Sequence, residues 1–131
     1  MELYLVINNV ENLPQGLYHY ESKTHSLRLL EEANLKNWIT KVSLGQEMLA
    51  TANFVVIKTG RWDRVRAYGD RGFRHLYLMA GAVGENLYLM ATSMGLGACG
   101  VGSFFDDAVA AKLDLNETQE IVLHITCIGT L

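Results

Sequence analysis

Two stretches of the chain concentrate residues that could do chemistry. Five of the six arginines, Arg61, Arg64, Arg66, Arg71 and Arg74, fall within the fourteen residues RWDRVRAYGDRGFR. Guanidinium groups at that density can grip a phosphate, a carboxylate or an acidic segment through paired hydrogen bonds. With Asp63 and Asp70 in the same stretch, the cluster also reads as a solvated loop with local partners. Downstream, MGLGACGVGSFFDD places four glycines in the eight residues from Gly95 to Gly102. Ordered glycine costs roughly 0.5–1 kcal/mol relative to alanine, so such a run needs a compensating reason: turns at positive φ, or a ligand lying against the backbone. A planar ring with polar edges suits it, since backbone N–H groups can reach heteroatoms where no side chain intrudes. A tight turn packed on the core is the alternative.

Other chemistries are poorly supplied. The four histidines, His19, His25, His75 and His124, show no metal-ligand spacing, and neither do Cys99 and Cys127, so no metal site is expected. Both cysteines read as reduced core residues of a cytoplasmic protein. GLGACG carries shifted letters of a dinucleotide-binding loop but follows a helix rather than a strand, which removes that reading. Asp106 and Asp107 read as a helix cap and its first turn. A net charge of −3 gives no general attraction to nucleic acid or to an anionic membrane surface. The uncharged run from Asn86 to Phe105 has the length of a membrane span, but its glycines and polar residues argue against one.

These residues must be positioned by a chain of 131 residues, 50% hydrophobic, which is one domain in size and can bury a core. Glu2 to Asn8 reads as a strand, and GLYHYESKTHSLRLL as a hairpin with arms Leu17–Tyr20 and Ser26–Leu30. From Asn34, a candidate N-cap, LKNWITKVSLGQEMLA puts Leu35, Trp38, Ile39, Val42 and Gln46 on one helical face. NFVVIKT follows as a buried strand. Asp70 can cap a long helix from about Gly72 to Met94 that Gly95 stops. That helix is apolar on nearly every side, which predicts a central element packed on a sheet and against a second subunit. A short helix from Asp107 to Leu113, capped by Asp106, and the strand QEIVLHITCIGT close an α+β chain.

The order of these motifs carries a resemblance. The segment from YGDRGFR, through a long helix with Gly81 and Asn86 and the stop Gly95-Leu96-Gly97, to the GVGSFFDD loop and a final strand ending in Gly resembles the C-terminal part of the nitroreductase-like flavin oxidoreductases. It is most similar to the branch containing thiazoline and oxazoline dehydrogenases. The GLYHYESKTHSLRLL hairpin also resembles that branch, and the likeness spans most of residues 1–131. The resemblance implies an antiparallel sheet packed on a long central helix, with FMN at a subunit interface and hydride transfer as the reaction. It assigns Gly100, Val101, Gly102 and Ser103 to the loop beside the flavin ring, matches Asn86 to the helix asparagine, and matches Arg71 and Arg74 to the Arg-Gly-Tyr-Arg segment, as candidates for substrate or anion binding. Azoline-oxidising members carry a Lys-Tyr pair where this chain has Ala67-Tyr68; Tyr68 is the remaining catalytic candidate. The family's opening Arg-Arg-Ser-x-Arg segment, which grips the flavin phosphate, has no match here. Either a second polypeptide supplies it, or the protein is a degenerate relative, a non-catalytic interaction module that has lost flavin chemistry; a homo-oligomer, or a hetero-oligomer with a chain supplying that segment, is expected.

Overall fold

Alternating side chains along Glu2–Ile7 (β1) send Tyr4 and Val6 to one face of a sheet and Leu3 and Leu5 to the other, so both faces must be covered. In the computed structural model, which describes residues 1–131, β1 pairs antiparallel with Gly16–Glu21 (β2), and β2 with Ser26–Glu32 (β3). On its other side β1 pairs with Phe54–Arg61 (β4); β4 pairs with Glu120–Thr130 (β6), and β6 with Leu96–Val101 (β5). The result is a six-stranded sheet of order β3-β2-β1-β4-β6-β5, antiparallel throughout.

Three short helices, Lys36–Val42 (α1), Met48–Thr51 (α2) and Asp106–Lys112 (α5), close one face. Ile39, Val42, Leu49 and Val109 meet Val6, Val55, Ile57, Ile125 and Cys127 there in the main core. The other face carries the 23-residue helix Arg71–Ser93 (α4), reached from β4 through the turn Trp62–Val65 (α3) and a 3₁₀ turn at Arg66–Tyr68. It buries Gly72, Leu76, Ala80, Gly84 and Ala91 in a stripe of mostly small residues. Its opposite side is bare and apolar: Leu78 is 71% exposed and Leu89 60% exposed.

Several local expectations need correction. The segment read as one helix from Asn34 onward is broken after Val42, because Leu44 and Gly45 adopt positive φ and the Ser43 hydroxyl donates to the Ile39 carbonyl, ending the turn. Asn34 does bind the helix start, accepting from the Lys36 amide at 3.1 Å, but it sits one residue before the N-cap position of Leu35. Asp70 holds the N-cap position of α4 without a side-chain cap bond, and α5 begins at Asp106 with Phe105 as its N-cap. Cys127 is buried as expected, whereas Cys99 is exposed on the edge strand. The glycine-rich stretch is mostly strand: Gly95, at φ 70°, ends α4, Gly97 and Gly100 lie within β5, and only Gly102 and Ser103 form loop.

Candidate functional site

The period of two in β4 and β6 decides what lies beneath α4. Val55 and Ile57 point into the main core, so Val56 and Lys58 face α4; Ile125 and Cys127 do the same in β6, leaving His124, Thr126 and Ile128 toward the helix. Opposite them, Tyr77, Gly81, Gly84 and Tyr88 recur at the i, i+4, i+7, i+11 spacing of one helix flank. Together with Ala80, Gly100 and Leu123, these residues line a cleft of about 420 Å³ between α4 and the β5–β6 edge of the sheet. That volume lies in the range of small-molecule sites, roughly 300–1,000 Å³.

Lys58 forms the floor of the cleft and is 0% exposed. Its Nζ donates to Thr126 Oγ1 at 2.8 Å and has no carboxylate partner. Burial pushes its pKa from 10.5 down to about 8, because the ammonium has lost its water. His124 beside it is also held below the usual imidazole range, first by burial and then by the charge of Lys58. On the cleft wall, the Gly100 amide donates to Tyr88 Oη, tying the edge strand to the helix. Glycine fits closely there: a Cβ on Gly100 would lie 2.8 Å from His124 Cε1 and 3.0 Å from Tyr88 Oη, so a larger residue would have to push those side chains aside.

The residues singled out in the sequence are distributed over more than one place. Gly100 lines the cleft, but its amide is engaged by Tyr88. Val101 turns its side chain into the main core. Gly102 and Ser103 lie exposed beyond the end of β5, where the Ser103 carbonyl accepts from Gln46 Nε2 at 3.2 Å. Asn86 is exposed on α4, outside the cleft lining. Tyr68 is exposed in the 3₁₀ turn, its ring edge-on to His75 with centroids 5.2 Å apart. Arg71 precedes Tyr88 by seventeen positions of helix, about 25 Å of axis at ~1.5 Å each, so Tyr68, Arg71 and Arg74 sit at the far end of α4 from Gly100 and Gly102.

The arginine cluster divides as well. Arg61 grips Asp63 with two hydrogen bonds, Nε to Oδ1 at 2.9 Å and a terminal nitrogen to Oδ2 at 2.6 Å, which holds the Asp63 carboxyl below its ordinary range. Arg64 pairs with Glu2 at 2.8 Å. Arg66, Arg71 and Arg74 form no ion pair. Sequence reasoning missed Lys58, Tyr77, Gly84, Tyr88 and His124 as one group. The available signal was Lys58, a lysine in the middle of the apolar strand FVVIKTG at a position whose period faces the interior.

A family model described as the nitroreductase family matches residues 4–130. The chain belongs to the nitroreductase family. It is 35% identical over 126 residues to a protein of Methanocaldococcus jannaschii provisionally named a nitroreductase, covering 95% of this chain and 64% of that one. A solved structure from Anabaena variabilis, likewise named provisionally as a nitroreductase, is 35% identical with a TM-score of 0.91, covering 98% of this chain and 26% of that one. A chain of the E. coli microcin synthetase McbBCD complex, solved with truncated pro-MccB17 bound, shares the fold at a TM-score of 0.86 and 23% identity, covering 99% of this chain and 51% of that one. The chain thus spans less than two thirds of the length of each of these relatives. No helix is long and apolar enough to cross a membrane, and no group of His, Cys, Asp and Glu is arranged to hold a metal ion.

The residues present fit the ring of a flavin rather than its phosphate. Gly102 faces open space where a Cβ would otherwise stand, and the backbone of Gly102 and Ser103 is exposed beyond the strand end. Nothing beside that loop supplies a cluster of cationic side chains, since the unpaired arginines lie at the other end of α4.

Proposed function

We propose that residues 1–131 act as a single domain of an FMN-dependent oxidoreductase, or as the C-terminal subunit of a split one, serving a small organic or peptide-derived substrate. Family membership supports this reading, and the observation that carries it is the exposed Gly102–Ser103 backbone beyond the end of β5. When bound, FMN supplies hydride transfer. The chain's own part is to present the Gly102 and Ser103 amides to the ring edge, with Gln46 steadying the loop through the Ser103 carbonyl. Tyr68 offers a hydroxyl that can hold or release a proton, Arg71 and Arg74 can seat an anionic part of the substrate, and Asn86 can orient a polar edge through its amide. The length of α4 separates these groups within one chain, so the reading includes assembly: a second copy or companion chain on the bare face of α4 would bring the two ends together. The azoline-dehydrogenase branch is the finer assignment, with Ala67 in place of lysine favouring a different substrate.

Titration of the purified chain with FMN tests this. Saturable quenching of flavin fluorescence, weakened by Gly102→Val, is expected. No binding by the chain alone or with a chain carrying an Arg-Arg-Ser-x-Arg opening would overturn it. A second reading is a non-catalytic interaction module that keeps the fold as an assembly platform, favoured by the exposed apolar residues of α4. Under that reading Tyr68→Phe leaves turnover of the assembled complex unchanged, whereas the flavin reading expects a loss.

A further inference from the structure

An ammonium wholly withdrawn from water normally faces a carboxylate, because desolvation is otherwise uncompensated. Lys58 has only the Thr126 hydroxyl, and every other residue lining the cleft above it is apolar, glycine, tyrosine or histidine. The counter-charge is missing from this chain. We propose that the α4 cleft is a binding site for a small monocarboxylate with an apolar body, its carboxylate seated over Lys58 between His124 and Tyr88. The remaining walls fix the rest of the ligand's chemistry. Ala80, Leu123 and the Tyr77 ring offer apolar surface, and Gly81 leaves room for a ring or branched chain. Gly84 lets the helix backbone pass close to the ammonium without crowding it, since a Cβ there would lie 3.3 Å from Lys58 Nζ. Tyr88 Oη already accepts the Gly100 amide, so its own proton is free to donate to an anion, and His124 can donate from either ring nitrogen. The site is independent of the flavin reading, because it needs neither the Gly102–Ser103 loop nor the far end of α4.

The test uses the full chain without added flavin and benzoate as the probe, with benzamide as its uncharged counterpart. Benzoate should raise the melting temperature saturably and shift the 15N resonance of the Lys58 ammonium, while benzamide does neither. Lys58→Met should weaken benzoate binding by at least about tenfold, the loss of a charge-assisted contact. Gly81→Val, where an added Cβ meets no atom within 4 Å, should leave the basal melting temperature unchanged or higher yet abolish the response by narrowing the cleft. Absence of benzoate binding to the wild-type chain, equal binding of benzamide, or an undiminished response in Gly81→Val would each overturn the proposal. The 15N shift is read on unaltered protein, so the outcome does not depend on how either variant folds.

Discussion

The two faces of the sheet are built on different terms. On the side of α1, α2 and α5, thirteen buried apolar residues form one continuous core. On the α4 side only Val56, Ala91 and Ile128 form a comparable cluster, and the rest of the contact is made by small residues, partly buried side chains and a buried lysine. Close packing specifies one face and an open cleft interrupts the other. The fold is held on the first face and left free on the second, since a site needs concavity and unsatisfied groups that a core excludes.

The contrast breaks if truncation costs the same on both faces. Ile57→Ala, at a wholly buried position of the main core, should destabilise the chain by about 2–5 kcal/mol, whereas Leu87→Ala on α4 should cost well under half as much. Urea denaturation of the two variants measures this directly. Equal costs would mean that the α4 face is a second full core.

Lys58 sharpens the comparison with the opposite sign. Its pKa is about 8 in the folded chain against 10.5 for an ordinary lysine, so the unfolded chain holds more protons between those values and stability rises with pH across that window. Below pH ~8 the full penalty is present, about 3 kcal/mol at ~1.4 kcal/mol per pH unit. Lys58→Met should therefore be more stable than wild type by up to that amount at pH 7, and the gain should vanish by about pH 10.5. Tyr4, raised to about 12 by burial, contributes stability that fades above pH 10; it is present in both proteins, so the difference between their unfolding midpoints isolates Lys58.

The smallest stability effect belongs to the outer side of α4. Leu78→Glu, at a position 71% exposed, should change chain stability by no more than about 0.5 kcal/mol. It should nevertheless shift the oligomeric state toward monomer in light scattering if that face is an assembly surface. A wild-type chain that is monomeric at micromolar concentration and unaffected by the substitution would remove the interface from the argument.

Much of the architecture was legible because it rests on local periodicity. The apolar and β-branched runs of β1, β4 and β6, the turn chemistry of the β2–β3 hairpin and the apolar length of α4 are written within about ten to twenty residues each. The break after Val42 was less legible, since a helical spacing continues through Ser43–Gln46 and only the positive φ values of Leu44 and Gly45 interrupt it. The glycines were visible but their division was not: one caps a helix, two sit in an edge strand, and one begins a loop.

For the site, the sequence determined residue types and the tertiary structure determined company. Lys58 within the apolar strand FVVIKTG and the helical spacing of Tyr77, Gly81, Gly84 and Tyr88 are present in the sequence, but by themselves they did not mark a site. The chain by itself fixed the motif order that marks the nitroreductase family. Only the antiparallel pairing of β4 with β6, sixty-eight residues apart at Lys58 and Thr126, put the ammonium beside a lone hydroxyl. Only the packing of α4 across that pair placed His124, Gly100 and Tyr88 around it, and the same packing carried Tyr68 and the free arginines to the other end. Periodicity is a property of neighbouring residues, whereas a buried charge without a counter-ion depends on which distant segments meet, and that is decided by the balance of the whole fold.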